Sequence, residues 1–310
     1  MDTRYALLTA AKNEEKDISH AIQSVIQQTI RPVAWFIVDD GSIDHTAEII
    51  RQYAAHHSFI RLITREGGQT RSFGSKDKAI NMAYELAKEL SFSYIGVQDA
   101  DIAVTRADYY EQVMTAFSSE PRLGIAGGYI YERKGENWLP RFANSPDSVA
   151  GGVQMFRRAC FEQIGGYIPL PFGGEDWLAQ IDALRTGWKV YALPELPAYH
   201  YRPTSSAGGR IRGLFRLGMM DASFGSHPLF ELFKCAKRFG ERPWILSSSV
   251  RLSGYVWWNL SRRRPLLHAD KVAFLRDQQL KKVFCLLKFN HALFPKFLSI
   301  VKRFRMKTSL

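Results

Sequence analysis

Runs of apolar residues alternate with segments of helical spacing along the first two thirds of the chain. Strands are predicted at residues 5–10, 35–40, 59–64 and 94–98 and in LGIAGGYIY. Between them apolar residues recur every three or four positions, so helices are predicted around Ile18–Ile26, at 42–57, at 75–90 and from Thr105. This alternation is typical of an α/β fold, with a mostly parallel sheet flanked by helices.

The pattern changes after about residue 203, where helix-like stretches rich in Arg, Lys, Phe, Leu and Trp begin. We therefore expect two domains, an α/β domain at 1–210 and a basic helical region at 211–310. Residues 210–310 hold 21 Lys and Arg against 5 Asp and Glu, whereas the whole chain has a net charge of +12. All of the excess positive charge belongs to the C-terminal third.

Basic and bulky apolar residues are interleaved over residues 261–310, which hold 13 Lys and Arg. Such a composition suits a helix lying on an anionic membrane surface. Packing of these helices on the α/β domain is the open alternative. Nucleic acid is not expected as a partner, because the apolar residues match or outnumber the cations.

The ends of the chain and its cysteines bear on location. The first residues, MDTRYALLTAAKNEE, contain no apolar core of a signal peptide, and no run of 18 uninterrupted apolar residues predicts a transmembrane helix. Three widely spaced cysteines predict no disulfide framework and fit a reducing compartment. The expected location is cytoplasmic, with peripheral attachment at the inner face of the cell membrane.

An apolar run, YIGVQDADIAV, leads directly into Asp99 and Asp101. In an extended segment these two side chains point the same way, so they repel each other unless a cation lies between them. A divalent cation that prefers oxygen ligands, Mg²⁺ or Mn²⁺, is the expected occupant. The alternative is a surface loop whose aspartates cap the following helix.

Two further acidic motifs follow apolar or glycine-rich segments. Asp39 ends the strand in VDDGS, and in an open parallel sheet ligands bind beyond the carboxyl ends of the strands. For Asp40 and Ser42 the alternative is a structural role, in forming the turn and capping the next helix. In FGGEDW, Glu175 and Asp176 open an amphipathic helix, where acidic residues also suit the helix dipole. A carboxylate in this position could serve as a general base.

These motifs together resemble a family-2 glycosyltransferase of the GT-A fold, of inverting, bacterial type. The matching segments run in order over about residues 5–205: TAAKNEE, VDDGSIDHT, GSKDKAIN, DAD, GGVQMFRRACFEQIGGY and GGEDWLAQIDALRTGW. The resemblance implies transfer of a sugar from a nucleotide-diphosphate sugar to a hydroxyl of a glycan or lipid-linked acceptor, in surface glycan or glycolipid synthesis.

The resemblance also implies roles for individual residues. Those that would contact the nucleotide or its phosphates are Thr9, Asn13, Glu14, Asp39, Lys76, Lys78, Asp99 and Arg202. Asp39 would hydrogen-bond the base, and the choice between Lys76 and Lys78 as the phosphate partner stays open.

The metal ligands implied by the resemblance are Asp99, Asp101 and His200, although a plain loop histidine is an equal interpretation of His200. Asp176 would deprotonate the acceptor hydroxyl, and Glu175 would orient the acceptor. One base without a second nucleophile implies a single displacement with inversion.

The chain departs from the family pattern at two points. Ala11 stands where relatives often have an aromatic residue that stacks on the base, and the Gln-x-x-Arg-Trp motif of processive synthases is absent. Two other functions remain as alternatives. A nucleotidyltransferase would need a glycine-rich basic loop after the first strand, which TAAKNEE does not supply. A non-catalytic module that binds nucleotide sugars or nucleic acid would not need Asp99, Asp101 and Asp176.

Overall fold

The computed structural model describes residues 2–66, 73–202, 209–237 and 246–289. Its internal contacts separate two units, Met1–Gly208 and Gly209–Leu310. The first unit is an α/β unit with a mostly parallel sheet, as the alternating pattern predicts. The second consists of helices in the part that the structure describes.

Nine strands form one sheet in the described part of the first unit. They are β1 (Tyr5–Ala11), β2 (Ala34–Asp39), β3 (Ile60–Thr64), β4 (Tyr94–Gln98), β5 (Ile102–Ala103), β6 (Leu123–Lys134), β7 (Asn137–Pro140), β8 (Val153–Arg157) and β9 (Lys189–His200). Their order is β3-β2-β1-β4-β8-β6-β9-β5, with β7 paired to β6. The four strands β3, β2, β1 and β4 are parallel, whereas β8 runs antiparallel to both of its neighbours.

In the described residues, six helices belong to the first unit and four to the second. They are α1 (Ile18–Ile26), α2 (Thr46–His56), α3 (Phe73–Ala87), α4 (Tyr109–Ser119), α5 (Arg158–Ile164), α6 (Glu175–Arg185), α7 (Arg210–Ser223), α8 (Pro228–Lys237), α9 (Leu246–Leu260) and α10 (Ala269–Phe289).

The central strands are apolar throughout because both faces of the sheet are covered. All six residues of β2 and all five of β4 are buried, and β1 is buried except for a partly exposed Ala10. Continuous apolar runs of this kind are expected of parallel strands with helices on both faces. The core formed by these strands fixes their carboxyl ends beside one another.

Helix α4 begins at Tyr109, four residues after the expected start at Thr105. The side-chain amide of Gln28, which follows α1, donates to the carbonyls of Val104 and Arg106, at 3.2 and 2.8 Å. These bonds hold residues 104–106 outside the helix, since the carbonyls they use are directed at Gln28.

Helices α7 and α9 of the second unit pack closely where two glycines meet the opposite backbone. A Cβ on Gly254 would lie 2.0 Å from the carbonyl oxygen of Phe215, and one on Gly218 would lie 1.9 Å from that of Arg251. Only glycine permits this approach without displacing a helix. Among the helices of the described residues, none combines the length and apolar character needed to cross a bilayer.

Candidate functional site

The loops after β1 and β2 are tied together by side-chain to backbone bonds. Asp39 accepts hydrogen bonds from the amide and the hydroxyl of Ser42. Asn13, in a left-handed conformation with φ of 53°, accepts from the amide of Ile43 at 2.9 Å. The amide of Glu14 donates to the hydroxyl of Thr46 at 2.7 Å. The two strand ends therefore form one rigid edge that carries Asn13, Glu14 and Asp39.

Thr9 lies inside the sheet and bonds neighbouring strands to one another. Its side chain is fully buried; the hydroxyl donates to the carbonyl of Gln98 at 2.8 Å and accepts from the indole of Trp35 at 2.9 Å. Both hydrogen bonds are made within the protein, so Thr9 holds β1, β2 and β4 in register beneath the strand ends.

The chain turns immediately after β4 instead of remaining extended through Asp99 and Asp101. The amide of Ile102 donates to the carbonyl of Asp99 at 3.2 Å, and the amide of Asp99 donates to the carbonyl of Gly152 at 3.1 Å. The two carboxylates consequently have different hydrogen-bond and ion-pair partners.

Asp99 pairs with Lys76 of α3, whose Nζ lies 2.6 Å from Oδ1. The same Nζ is 3.9 Å from Oε1 of Glu175. Burial would lower the pKa of Lys76, but these two carboxylates outweigh it and raise the pKa above the usual lysine value. Lys78 lies on the exposed side of α3. Of the two lysines that the sequence leaves open, Lys76 is the one beside the acidic groups.

Asp101 is held by residues at the end of β9. Pairing of β5 with β9 sets His200 opposite Ile102, with Nε2 3.3 Å from Oδ2 of Asp101. Arg202 donates from Nη2 to the same oxygen at 2.5 Å and to Oε1 of Glu14 at 2.8 Å. Burial would raise the pKa of Asp101, but His200, Arg202 and Lys76 together lower it to about 2.

Glu175 and Asp176 occupy the first turn of α6, after Gly174 in a left-handed conformation with φ of 92°. Oδ2 of Asp176 accepts from the amide of Gly151 at 2.9 Å, and Oδ1 accepts from the amide of Trp177 at 2.7 Å. Glu175 is buried, and its Oε2 has no hydrogen-bond partner. Burial raises the pKa of Glu175 to about 7, since Lys76 offsets only part of the effect.

Asp77 is a fully buried acid that the sequence motifs do not single out. Its Oδ2 accepts from the amide of Leu170 at 3.3 Å, and its Oδ1 has no hydrogen-bond partner. Burial, and then the charge of Glu175, raise the pKa of Asp77 to about 8. In the sequence, only the neighbouring Lys76 could have drawn attention to Asp77, because the burial of a single polar residue cannot be inferred from a sequence pattern.

Gly151 and Gly152 separate the two acidic groups of the site. A Cβ on Gly151 would lie 2.7 Å from Cβ of Asp176, and one on Gly152 would lie 2.8 Å from Oδ2 of Asp99. The family resemblance includes this pair in the segment GGVQMFRRACFEQIGGY, without a role for either glycine. The structure brings Asp99 and Asp176 against adjacent residues of one backbone segment.

The described residues alone do not supply enough ligand atoms for a divalent cation. No group of three or more His, Cys, Asp and Glu side chains in the described residues has the geometry to hold a metal ion. Asp101 and His200 supply one carboxylate and one imidazole, with Nε2 3.3 Å from Oδ2, whereas Nδ1 of His200 lies 4.0 Å from Oε1 of Glu132. A cation held by Asp101 and His200 would need its other ligands from a substrate and water.

A sequence model described as Glycosyl transferase family 2 matches residues 7–169. A curated relative, the 4,4'-diaponeurosporenoate glycosyltransferase of Staphylococcus aureus (strain USA300), is 28% identical over 119 residues. The matched stretch is 38% of this chain and 29% of the relative, so the chain spans less than a third of that relative's length.

Two solved structures have the same fold. The mannosyltransferase PcManGT from Pyrobaculum calidifontis, in complex with GDP-Man and Mn²⁺, has a TM-score of 0.54 and 15% identity, covering 93% of this chain and 81% of that chain. S. aureus TarS 1–349, in complex with UDP-GlcNAc, has a TM-score of 0.52 and 14% identity, covering 88% and 78%. At these identities the likeness concerns the fold alone, and it agrees with the GT-A type of sheet expected from the motifs.

Proposed function

The chain belongs to glycosyl transferase family 2, and on this premise we propose that it is an inverting glycosyltransferase. It moves a sugar from a nucleotide-diphosphate sugar to a hydroxyl acceptor. One observation carries the proposal: Asp99 and Asp176 lie against Gly152 and Gly151, adjacent residues of one segment. A donor-side acid and a candidate base thus lie against the same short stretch of backbone.

The donor side is built from the edge that joins the β1 and β2 loops. Asp39 and Asn13 are suited to bind the nucleoside, because both are fixed by bonds to the Ser42–Ile43 turn. Thr9 supports this edge from within the sheet. Lys76 and Arg202 are cations beside the acids, and both can turn toward a diphosphate that replaces their present carboxylate partners.

The leaving diphosphate gains negative charge as the bond to the anomeric carbon breaks, so positive groups aimed at it lower the barrier. We infer that Asp99, Asp101 and His200 would hold a divalent cation, Mg²⁺ or Mn²⁺, next to the diphosphate. When bound, that cation supplies further charge neutralisation at the leaving group. Arg202 then exchanges its bond to Asp101 for one to phosphate.

Asp176 is the proposed general base. Its Oδ2 is held by the amide of Gly151, which fixes the carboxylate without neutralising it. It takes the acceptor proton as the hydroxyl attacks the face of the sugar opposite the diphosphate, a contribution of about 10²–10⁴-fold in rate for a base of this kind. Glu175, held near Lys76, orients the acceptor.

The proposal also covers the acceptor and the division of the chain into a catalytic and a basic region. The acceptor is a glycan or a lipid-linked molecule of the cell surface. Catalysis belongs to residues 1–210, and residues 211–310 form a separate basic region, which consists of helices where the structure describes it. The contact boundary between Gly208 and Gly209 supports that division.

The proposal is tested by incubating the full chain with a panel of nucleotide-diphosphate sugars, with and without Mn²⁺. Donor binding is followed by thermal shift, and release of nucleoside diphosphate measures turnover. One donor class should raise the melting temperature more in the presence of Mn²⁺ and should release nucleoside diphosphate. Release of pyrophosphate from a nucleoside triphosphate and a sugar phosphate would instead identify a nucleotidyltransferase.

A further inference from the structure

Helix α9 of the second unit buries an arginine, while several of its bulky apolar residues are exposed. Its buried residues are Ser247, Ser248, Arg251, Gly254, Tyr255 and Trp258. On the opposite side Val256 is exposed, Trp257 is 58% exposed and Leu260 is 75% exposed. Large apolar side chains on the exposed side of a surface helix depart from the usual arrangement, in which the apolar stripe faces the core.

The orientation of α9 is fixed by the groups that it buries. Arg251 donates from Nε to Glu231 at 2.9 Å and also pairs with Asp221, and all three side chains are buried. Removing one member of such a group leaves an unpaired buried charge. Gly254 lies against the backbone of Phe215, where no side chain fits. Rotation of α9 about its axis would break both arrangements, so Trp257 cannot turn inward.

Three arginines directly follow the exposed apolar residues. Arg262, Arg263 and Arg264 are all exposed, beginning two residues after Leu260. Residues 210–310 as a whole hold 21 basic against 5 acidic residues. Tryptophan and leucine flanked by arginine are the combination that suits the boundary between lipid headgroups and acyl chains.

We propose that Val256, Trp257, Leu260 and Arg262–Arg264, here called the Trp257 surface, dock on an anionic lipid bilayer. The apolar side chains enter the headgroup boundary while the arginines remain among the lipid phosphates. The attachment depends on no residue of the sugar-transfer site, so it can be tested independently of the proposed function.

Charge argues against the two other occupants of this surface. A second copy of the chain would bring three further arginines against the first three, which repel. A nucleic acid would pair with the arginines, but its contacts do not require the exposed indole and leucine on the adjoining helix turn. An anionic bilayer offers phosphates to the arginines and an apolar environment to Trp257 and Leu260 at the same time.

The test is flotation of the full chain with vesicles of phosphatidylglycerol and phosphatidylcholine, compared with phosphatidylcholine alone, at 0.05 M and 0.5 M salt. Anionic vesicles should bind the protein, and binding should weaken but persist at the higher salt because screening acts on the arginines alone. Arg262→Gln with Arg264→Gln should weaken low-salt binding by roughly 30-fold, about fivefold for each charge. Trp257→Gln with Leu260→Gln should weaken binding at both salt concentrations.

Matched controls are exposed residues of the same types on the first unit. Arg51→Gln on α2 and Leu86→Gln on α3 should leave vesicle binding unchanged. Brominated lipids should quench tryptophan fluorescence of the full chain, and Trp257→Phe should lose most of that quenching while Trp138→Phe keeps it. Circular dichroism and melting temperature verify that every variant is folded.

Three results would overturn the proposal. The full chain could ignore anionic vesicles at 0.05 M salt, or the control variants could lose as much binding as the Trp257-surface variants. Alternatively, Trp257→Gln could abolish self-association in sedimentation while vesicle binding stays unchanged, which would identify the surface as a contact between copies.

Discussion

The glycine pair between Asp99 and Asp176 allows the two halves of the proposed reaction to be perturbed separately. Gly151→Ala would put a Cβ 2.7 Å from Cβ of Asp176, where ordinary contacts begin at 3.4 Å. Asp176 must therefore shift by roughly 0.7 Å or more, since van der Waals repulsion is steep at this distance. A misplacement of about 1 Å can cost about 10²-fold in rate. We expect kcat to fall by about that factor while donor affinity changes little.

Gly152→Ala acts on the other side of the same segment. Its Cβ would lie 2.4 Å from Cδ1 of Ile102 and 2.8 Å from Oδ2 of Asp99, so the donor-side acid moves instead. We expect donor affinity to fall by at least tenfold, with kcat at saturating donor affected less than in Gly151→Ala. Overpacking of this degree costs about 1–3 kcal/mol of stability, which both variants share.

Gly74→Ala is the matched control, because a Cβ on Gly74 meets its nearest neighbours at 3.7 and 3.8 Å, an ordinary contact. The assay is release of nucleoside diphosphate for kcat, with calorimetric titration for donor affinity and thermal unfolding for stability. The reasoning is refuted if folded Gly151→Ala keeps its kcat within threefold of the wild type. It is refuted equally if both alanine variants lose donor affinity to the same extent.

Three other changes should each affect a different property. Chelation of divalent cations with EDTA should weaken donor binding by at least tenfold in calorimetry, and Asp101→Asn without chelator should do the same. Asp176→Asn should lower turnover by about 10²–10⁴-fold while donor affinity changes by less than threefold. Because the folded-state pKa values of Asp77 and Glu175 are raised to about 8 and 7, the folded protein holds more protons, and the free energy of unfolding should fall as pH rises from about 4 to 8. Asp77→Asn should gain about 1–3 kcal/mol of stability relative to wild type between pH 5 and pH 8.5, measured by urea unfolding.

Each of these predictions has a distinct contrary result. Donor affinity that is equal with and without EDTA would remove the metal from the proposal. Parallel loss of donor affinity and turnover in Asp176→Asn would make Asp176 a binding or capping residue. If the stability difference between Asp77→Asn and wild type is the same at both pH values, the carboxyl of Asp77 does not hold a raised pKa.

In the first unit, local patterns predict strands β1 to β4 and β6, whereas β5, β7, β8 and β9 are found only in the structure. The apolar runs at β1, β2, β3 and β4 are long and continuous, because strands covered on both faces need such runs. The strand-end motifs at Asp39 and Asp99 are likewise visible in the sequence, since the carboxyl ends of neighbouring parallel strands meet at one edge. Whether these residues bind a nucleotide sugar stays a prediction.

Contacts between distant residues were decided by the tertiary structure. Arg202 pairs with Glu14 and Asp101, residues 188 and 101 positions away. The turn at Asp101 gives the two aspartates different cationic partners, an outcome that an extended segment would not produce. No periodicity encodes such pairs, because they depend on how β9 and β5 align after the sheet has formed.

The burial of individual side chains is the other feature that only the tertiary structure decided. Asp77 and Lys78 are adjacent polar residues of one helix, yet Asp77 is buried beside the site and Lys78 is exposed. Helix α9 likewise buries Arg251 and exposes Trp257, which differs from the amphipathic rule by which a sequence is interpreted. In both helices the environment of a side chain depends on which elements pack against it, and that is fixed only when the distant parts of the chain have come together.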